Sequence, residues 1–127
     1  MKIDPNARYS KEHEWVRQEG SLYLYGITDY AQDQLSDIVY VEFPEVGESF
    51  GGGDVIGVVE SVKAAADIYL PIGGEIVEVN EALEDAPELL NTDPFEKGWI
   101  VKFSASDPQE FEQLMSPKDY EKFASED

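Results

Sequence analysis

One lysine stands out among the side chains that could do chemistry, because of the residues around it. Residues 18–96 include 18 acidic side chains and a single basic one, Lys63. Small or apolar residues flank this lysine at Val62, Ala64, Ala65 and Ala66, and β-like runs precede and follow it. A lysine at the tip of a hairpin can be presented to another protein for covalent modification, whereas most lysines in turns are simply solvated. The residue pattern alone leaves both interpretations open.

The other reactive side chains do not assemble an active site. The chain has no cysteine, which excludes disulfides, zinc fingers and thiol nucleophiles. His13 is the only histidine, and no serine is marked out as its partner in a catalytic triad. A metal site of His13 with Glu12 and Glu14 is disfavoured, because successive residues of a strand face opposite sides, and one histidine is few for a metal site. We therefore expect neither an enzyme nor a metal protein, and the pattern favours a surface or edge position for His13.

The overall charge limits the possible partners. Nine basic residues stand against 28 acidic ones, which gives a formal net charge of −19. Phosphate binding requires clustered Lys and Arg, so nucleic acid is disfavoured, and anionic membranes are disfavoured for the same reason. The glycine run at residues 51–53 lacks the rest of a P-loop, and no calcium-binding loop pattern occurs among the carboxylates. We expect protein partners that present basic surfaces.

The elements that must position Lys63 are short strands separated by turns. Apolar and β-branched runs predict strands over residues 15–17, 22–27, 37–43, 55–60, 65–70, 75–80 and 99–103. Helix signals predict a short helix over residues 30–35, one helical turn near residues 87–90, and two C-terminal helices beginning near Asp107 and Ser116. This spacing indicates a mainly β protein, an antiparallel sandwich or flattened barrel with short added helices that cover the core or a sheet edge. No linker interrupts the chain, so residues 1–127 are predicted to form a single domain.

The lysine segment resembles that of a known family. Residues 57–69, with Lys63 at their centre, are similar to the lipoyl-lysine segment of the H protein of the glycine cleavage system. Further similar blocks follow in order at residues 9–16, 26–32, 35–44, 74–80, 87–91 and 98–99. The sequence departs from the family pattern at Ala66, where a small hydroxyl residue is usual, and at Leu70 and Gln34. These departures leave Lys63 in place and affect only the polarity expected beside it.

The resemblance implies a fold, a cofactor and a set of site residues. The fold is a lipoyl-domain-like antiparallel β-sandwich, and the protein is a carrier rather than a catalyst, with lipoate attached covalently to Lys63. Glu60 and Asp67, which flank Lys63, are expected to help a lipoylating enzyme recognise the hairpin. The loaded arm is expected to fold into a cleft lined by Glu14, Asp67, His13 and Gln34. Without the resemblance, Glu14 and Asp67 would be taken for solvated surface acids.

The resemblance also implies the partners of the carrier. A pyridoxal-phosphate glycine decarboxylase would load an aminomethyl group, and a tetrahydrofolate-dependent aminomethyltransferase would remove it. A dihydrolipoamide dehydrogenase would then reoxidise the arm, and a lipoate ligase or transferase would have attached it. A lipoyl relay or store that donates lipoate to other enzymes would look the same in sequence. A biotin carrier fits less well, because methionines do not flank Lys63, and an unmodified interaction module remains open.

The apolar runs and the first residues of the sequence indicate where in the cell the protein is expected. No apolar run reaches transmembrane length, and the first residues lack the apolar core of a signal peptide. We expect a monomer that is not bound to a membrane. Its predicted location is the bacterial cytoplasm, or the mitochondrial matrix if a leader was removed.

Overall fold

Two antiparallel sheets make up most of the structure. The computed structural model describes residues 1–126. The strands are, in chain order, β1 (Arg8–Tyr9), β2 (Glu14–Glu19), β3 (Leu22–Ile27), β4 (Ile38–Glu42), β5 (Ser49–Phe50), β6 (Val55–Ser61), β7 (Ala65–Tyr69), β8 (Gly74–Val79) and β9 (Val101–Ala105). The larger sheet has the strand order β1-β2-β3-β9-β8-β5, and the smaller one has the order β4-β6-β7. The predicted mainly β architecture is confirmed.

Short helices connect or flank these strands. They are α1 (Asp29–Leu35), α2 (Ala82–Asp85), α3 (Leu89–Thr92), α4 (Gln109–Glu112) and α5 (Pro117–Ser125). Thr28 caps α1 by accepting from the Ala31 amide, and Ser116 caps α5 by accepting from the Asp119 amide. The four-residue helix α2 and the two-residue strands β1 and β5 were not predicted, because such short segments have no periodicity to detect.

The two sheets share one hydrophobic core. Alternation along each strand sends one set of side chains inward, and this set is almost fully buried. The larger sheet contributes Val16, Tyr25, Ile76, Val101 and Phe103, and the smaller one contributes Ile38, Val41, Ile56, Val59 and Ile68. Full burial of one such side chain contributes about 1.5–3 kcal/mol, so the inward face fixes the strand register.

A second, smaller apolar cluster lies where α5 meets the N-terminal strands. Tyr120 and Ala124 of α5 are buried there beside Tyr9, Trp15 and Leu24. Helix α4 instead sends Phe111 into the main core. The C-terminal helices therefore cover apolar surface, as predicted. No helix among residues 1–126 is both long enough and apolar enough to cross a membrane.

The β6–β7 hairpin brings Lys63 to one end of the smaller sheet. Glu60 is paired with Ala65, so residues 61–64 form the tip. A bulge near Gly57 shifts the register of β6, and the backbone there lies so close to the Glu42 carbonyl that a Cβ atom would collide with it. Only glycine fits this close approach of two strands. The base of the hairpin is thereby fixed against β4.

Candidate functional site

The tip of the hairpin is held by the side chain of one serine. The Ser61 hydroxyl accepts hydrogen bonds from the amides of Lys63 (3.1 Å) and Ala64 (3.0 Å), and the Ser61 amide donates to the Ala64 carbonyl at 2.8 Å. The Val62 amide donates to the Asp37 carbonyl at 2.9 Å. A serine hydroxyl that bonds to backbone amides two or three residues on can stabilise a turn without the positive φ that Gly permits or the fixed φ that Pro imposes. The tip is therefore shaped without either residue.

Lys63 extends from this tip into solvent. Its side chain is exposed, and Nζ donates to the Gln34 carbonyl oxygen at 3.2 Å, near the end of α1. A single exposed hydrogen bond to a carbonyl contributes little, so the amine is accessible for acylation. The contact also shows in which direction the side chain reaches, because Gln34 lies on the rim of a cleft.

A cleft of about 200 Å³ opens beside the hairpin. The segment before β2, the end of β3, helix α1 and strand β7 form its walls. The four residues that the sequence predicted for an arm cleft, Glu14, Asp67, His13 and Gln34, all line it. Its apolar lining comes from Ile27, Ala31, Leu35, Ala66 and Ile68. A narrow cleft with apolar walls and a few polar groups suits a flexible chain with a polar end.

Glu14 is a buried acid, not the solvated one that the residue pattern favours. Its side chain is 2% exposed. Oε2 accepts hydrogen bonds from the Tyr25 hydroxyl (2.9 Å) and the Tyr69 amide (2.8 Å), and Oε1 accepts from the Ser10 hydroxyl at 3.1 Å. Burial raises the pKa of Glu14 from 4.5 to about 7, although these hydrogen bonds favour the ionised form and oppose the rise. Near neutral pH this carboxyl can therefore gain or lose a proton.

The other two acids singled out by the sequence are exposed. Asp67 is paired with Val58, and Glu60 lies between Tyr40 and Ala65 in the register of the smaller sheet. Both carboxylates are accessible to another protein. Asp67 alone of the two also lines the cleft.

His13 is half-buried, and its ring contacts Tyr120 and Phe123 of α5. Its ring stacks on Tyr30 with centroids 4.2 Å apart, and Nδ1 lies 2.8 Å from the Tyr120 hydroxyl. His13 has a φ of 64°, a left-handed conformation uncommon for a residue other than glycine. Within residues 1–126, no group of three or more His, Asp or Glu side chains could hold a metal ion.

Sequence reasoning missed the residues that hold these groups in place. Ser10, Tyr25 and the Tyr69 amide fix Glu14, and Tyr120 contacts His13 from near the C-terminus. The sequence predicted that the C-terminal helices cover the core or a sheet edge, but nothing in its pattern showed that Tyr120 would contact His13.

Comparisons with known proteins agree with this fold. Residues 7–127 match the family profile described as Glycine cleavage H-protein. The glycine cleavage system H protein of Carboxydothermus hydrogenoformans is 48% identical over 125 residues, covering 98% of this chain and 96% of the relative. That of Listeria innocua is 50% identical over 122 residues, covering 96% and 98%. The crystal structure of the Mycobacterium marinum H protein has a TM-score of 0.85 and 33% identity, covering 98% of both chains.

The fold and the exposed hairpin lysine define a carrier domain of the lipoyl type. The chain belongs to the glycine cleavage H-protein family. Its role is accordingly that of a lipoyl carrier in the glycine cleavage system, a carrier subunit and not a catalyst. The family carries lipoate and works within a multienzyme system.

Proposed function

We propose that Lys63 is the residue to which lipoate is attached. The observation that carries this proposal is the position of Nζ, exposed at the end of a rigid tip and directed towards the rim of the cleft. Acylation removes the charge of Lys63 and adds a long, mainly apolar chain. The apolar lining of the neighbouring cleft fits such a chain, because the chain can leave water without burying an unpaired polar group.

The cleft residues then protect the cargo. When attached, lipoate supplies the dithiolane that takes up the aminomethyl group of glycine. The amine of that group is cationic, and Glu14 and Asp67 lie on the same cleft to pair with it. A nearby cation favours the ionised form of Glu14, whose pKa of about 7 allows it to release a proton on pairing. The walls formed by Ile27, Leu35 and Ile68 exclude water from the adduct.

The partners follow from the same cycle. A pyridoxal-phosphate glycine decarboxylase loads the arm, a tetrahydrofolate-dependent aminomethyltransferase unloads it, and dihydrolipoamide dehydrogenase reoxidises it. A lipoate ligase or transferase recognises the hairpin through Glu60 and Asp67, which are exposed on either side of Lys63. Bacterial relatives support the bacterial cytoplasm as the location of this cycle.

The attachment site is tested by intact mass after incubation with lipoate, ATP and a lipoate ligase. The parent is expected to gain the mass of one lipoyl group, and Lys63→Arg to gain none, because arginine keeps the charge but cannot be acylated. Lys97→Arg, which changes another exposed lysine, serves as the control and is expected to behave as the parent. Lipoylation of Lys63→Arg, or its full activity in a reconstituted glycine cleavage assay, would overturn the proposal.

A further inference from the structure

A tyrosine of the C-terminal helix contacts two of the four elements that form the cleft. Tyr120 of α5 is fully buried. Its hydroxyl lies 2.8 Å from Nδ1 of His13 and 2.8 Å from Oγ1 of Thr28. The first of these residues belongs to the segment that enters β2, and the second begins α1. The Tyr120 hydroxyl therefore contacts two residues that lie 107 and 92 positions before it in the chain.

Each of these two contacts lies next to residues that line the cleft. His13 precedes Glu14 directly and adopts its left-handed φ of 64° here. Thr28 caps α1 through the Ala31 amide, and Tyr30 and Ala31 of that helix line the cleft. The Thr28 amide also donates to the His13 carbonyl at 3.1 Å. A shift of the Tyr120 hydroxyl would consequently move the segment before β2 and the start of α1 together.

Contacts of Tyr120 and of Met115 with Tyr9 hold the Tyr120 hydroxyl in place. The Tyr120 ring stacks on Tyr9 with centroids 4.4 Å apart and planes at 9°. Just before α5, Met115 and Tyr9 exchange two backbone hydrogen bonds of 2.9 Å. Stacked rings and paired backbone groups restrict motion, and a buried hydroxyl left without its partners is costly.

We propose that Tyr120 is a positioning residue that fixes two of the four elements forming the cleft, the segment before β2 and the start of α1, so that retention of the loaded arm depends on the docking of α5. The inference rests on the proposed role of the cleft. Tyr120 need not touch the arm, because it acts through His13 and through the Thr28 cap of α1. The C-terminal helix is then part of the carrier mechanism and not only a cover for the apolar cluster.

The test compares two tyrosine-to-phenylalanine variants from the same stacked pair. Tyr120→Phe removes the hydroxyl that contacts His13 and Thr28. Tyr9→Phe removes a hydroxyl that, among residues 1–126, bonds to Asp4, where it donates to the carbonyl at 2.6 Å and accepts from the amide at 2.8 Å. Lipoylated, aminomethyl-loaded protein is prepared from each, and the spontaneous decay of the adduct is followed without the aminomethyltransferase. Amide hydrogen exchange at Ala31 is measured in the unmodified proteins.

Tyr120→Phe is expected to speed adduct decay about fivefold, the factor that corresponds to the net contribution of one hydrogen bond. Tyr120→Phe should also speed exchange of the Ala31 amide. Tyr9→Phe should leave the decay rate and the exchange rate unchanged, although it should lower the melting temperature about as much as Tyr120→Phe does. Equal decay in all three proteins would overturn the inference, as would equal acceleration by Tyr9→Phe. If the adduct of the parent decays as fast as free aminomethyl-dihydrolipoamide, the protective cleft of the proposed function fails instead.

Discussion

The hairpin tip and the cleft beside it are neighbours, yet they are built in different ways. The tip is shaped by hydrogen bonds between residues two or three apart, such as those of Ser61 with Lys63 and Ala64, and its side chains are largely exposed. In the cleft, Glu14 bonds to the Tyr69 amide 55 residues away, and His13 contacts Tyr120, which is 107 residues away. The tip depends mainly on local structure, with one added backbone bond from Val62 to Asp37, whereas the cleft depends on the whole fold.

This difference matches the two tasks of a carrier. A group that several enzymes must reach needs an accessible support, and exposed local structure provides one at little cost in stability. Protection of a reactive cargo needs polar groups held in fixed positions away from water, which only a packed interior provides. Substitutions of exposed residues should therefore change recognition or adduct lifetime with little change in stability, whereas substitutions of buried cleft residues should change stability and adduct lifetime together.

The largest expected effect on stability is that of Glu14→Ala. The change leaves the Tyr25 hydroxyl and the Tyr69 amide without their acceptor in a buried place. Each unsatisfied buried donor costs about 1–3 kcal/mol, so at pH 5 the free energy of unfolding should fall by about 3 kcal/mol or more. Urea unfolding monitored by tryptophan fluorescence measures this.

The matched control is Asp67→Ala, which removes the other predicted cleft acid. Asp67 is exposed, so its loss should change the free energy of unfolding by less than about 0.5 kcal/mol. Both variants should shorten the lifetime of the loaded adduct. If Glu14→Ala is as stable as Asp67→Ala, the contrast between a buried and an exposed acid is wrong.

The free energy of unfolding of the parent should also depend on pH, because Glu14 binds a proton in the folded state. Because burial raises the pKa of Glu14 to about 7 in the folded state, the folded protein keeps a proton that the unfolded chain releases near its ordinary value. Stability from this group is therefore fully present below about pH 4.5 and is lost as pH rises through about 7. The loss should amount to about 3 kcal/mol, and it should be nearly complete about one pH unit above the pKa of about 7.

Glu14→Gln isolates this contribution, because its amide oxygen can still accept a hydrogen bond while the side chain has no proton to lose. The difference in free energy of unfolding between Glu14→Gln and the parent should grow in favour of the variant between pH 5 and pH 7.5. All other acids titrate in both proteins and cancel in this difference. A difference that is constant across the range would mean that Glu14 ionises at its ordinary pKa.

The contrast between tip and cleft also decides how much the sequence could predict. The strands on either side of Lys63 follow from apolar runs, and the hairpin between them follows from their spacing, so the tip was predicted with its flanking acids Glu60 and Asp67. Helix α1 was predicted from its cap at Thr28. These features depend on neighbours in sequence, which a pattern records.

The interior of the cleft depends on contacts that no local pattern records. The resemblance placed Glu14 and His13 beside the arm, but the acidic context of Glu14 favoured a solvated side chain. Its burial follows from Tyr25 and the Tyr69 amide, which approach only after the two sheets share a core. Similarly, the contact of His13 with Tyr120 requires α5 to dock against β1 and β2.

The smallest effect on stability, and the clearest effect on recognition, is expected at the tip. Replacing both Glu60 and Asp67 by Ala should slow lipoylation of Lys63 by about tenfold, because two acids close to the modified amine are available to a basic partner surface. Since both side chains are exposed, the free energy of unfolding should change by less than about 0.5 kcal/mol. The initial rate of lipoylation by a lipoate ligase measures the first quantity, and urea unfolding measures the second.

The position of these acids must be separated from the net charge of −19. A double variant in which Ala replaces Glu75 and Glu81, which are also exposed, removes the same number of charges from outside the β6–β7 hairpin. The rate at which this variant is lipoylated should be within about twofold of that of the parent, because a charge outside the hairpin acts only through the screened field of the whole protein. The rate of the parent should fall with rising salt, and that of the Glu60 and Asp67 variant should fall less steeply. If both double variants slow lipoylation equally, net charge governs the encounter, and the tip contributes only the lysine.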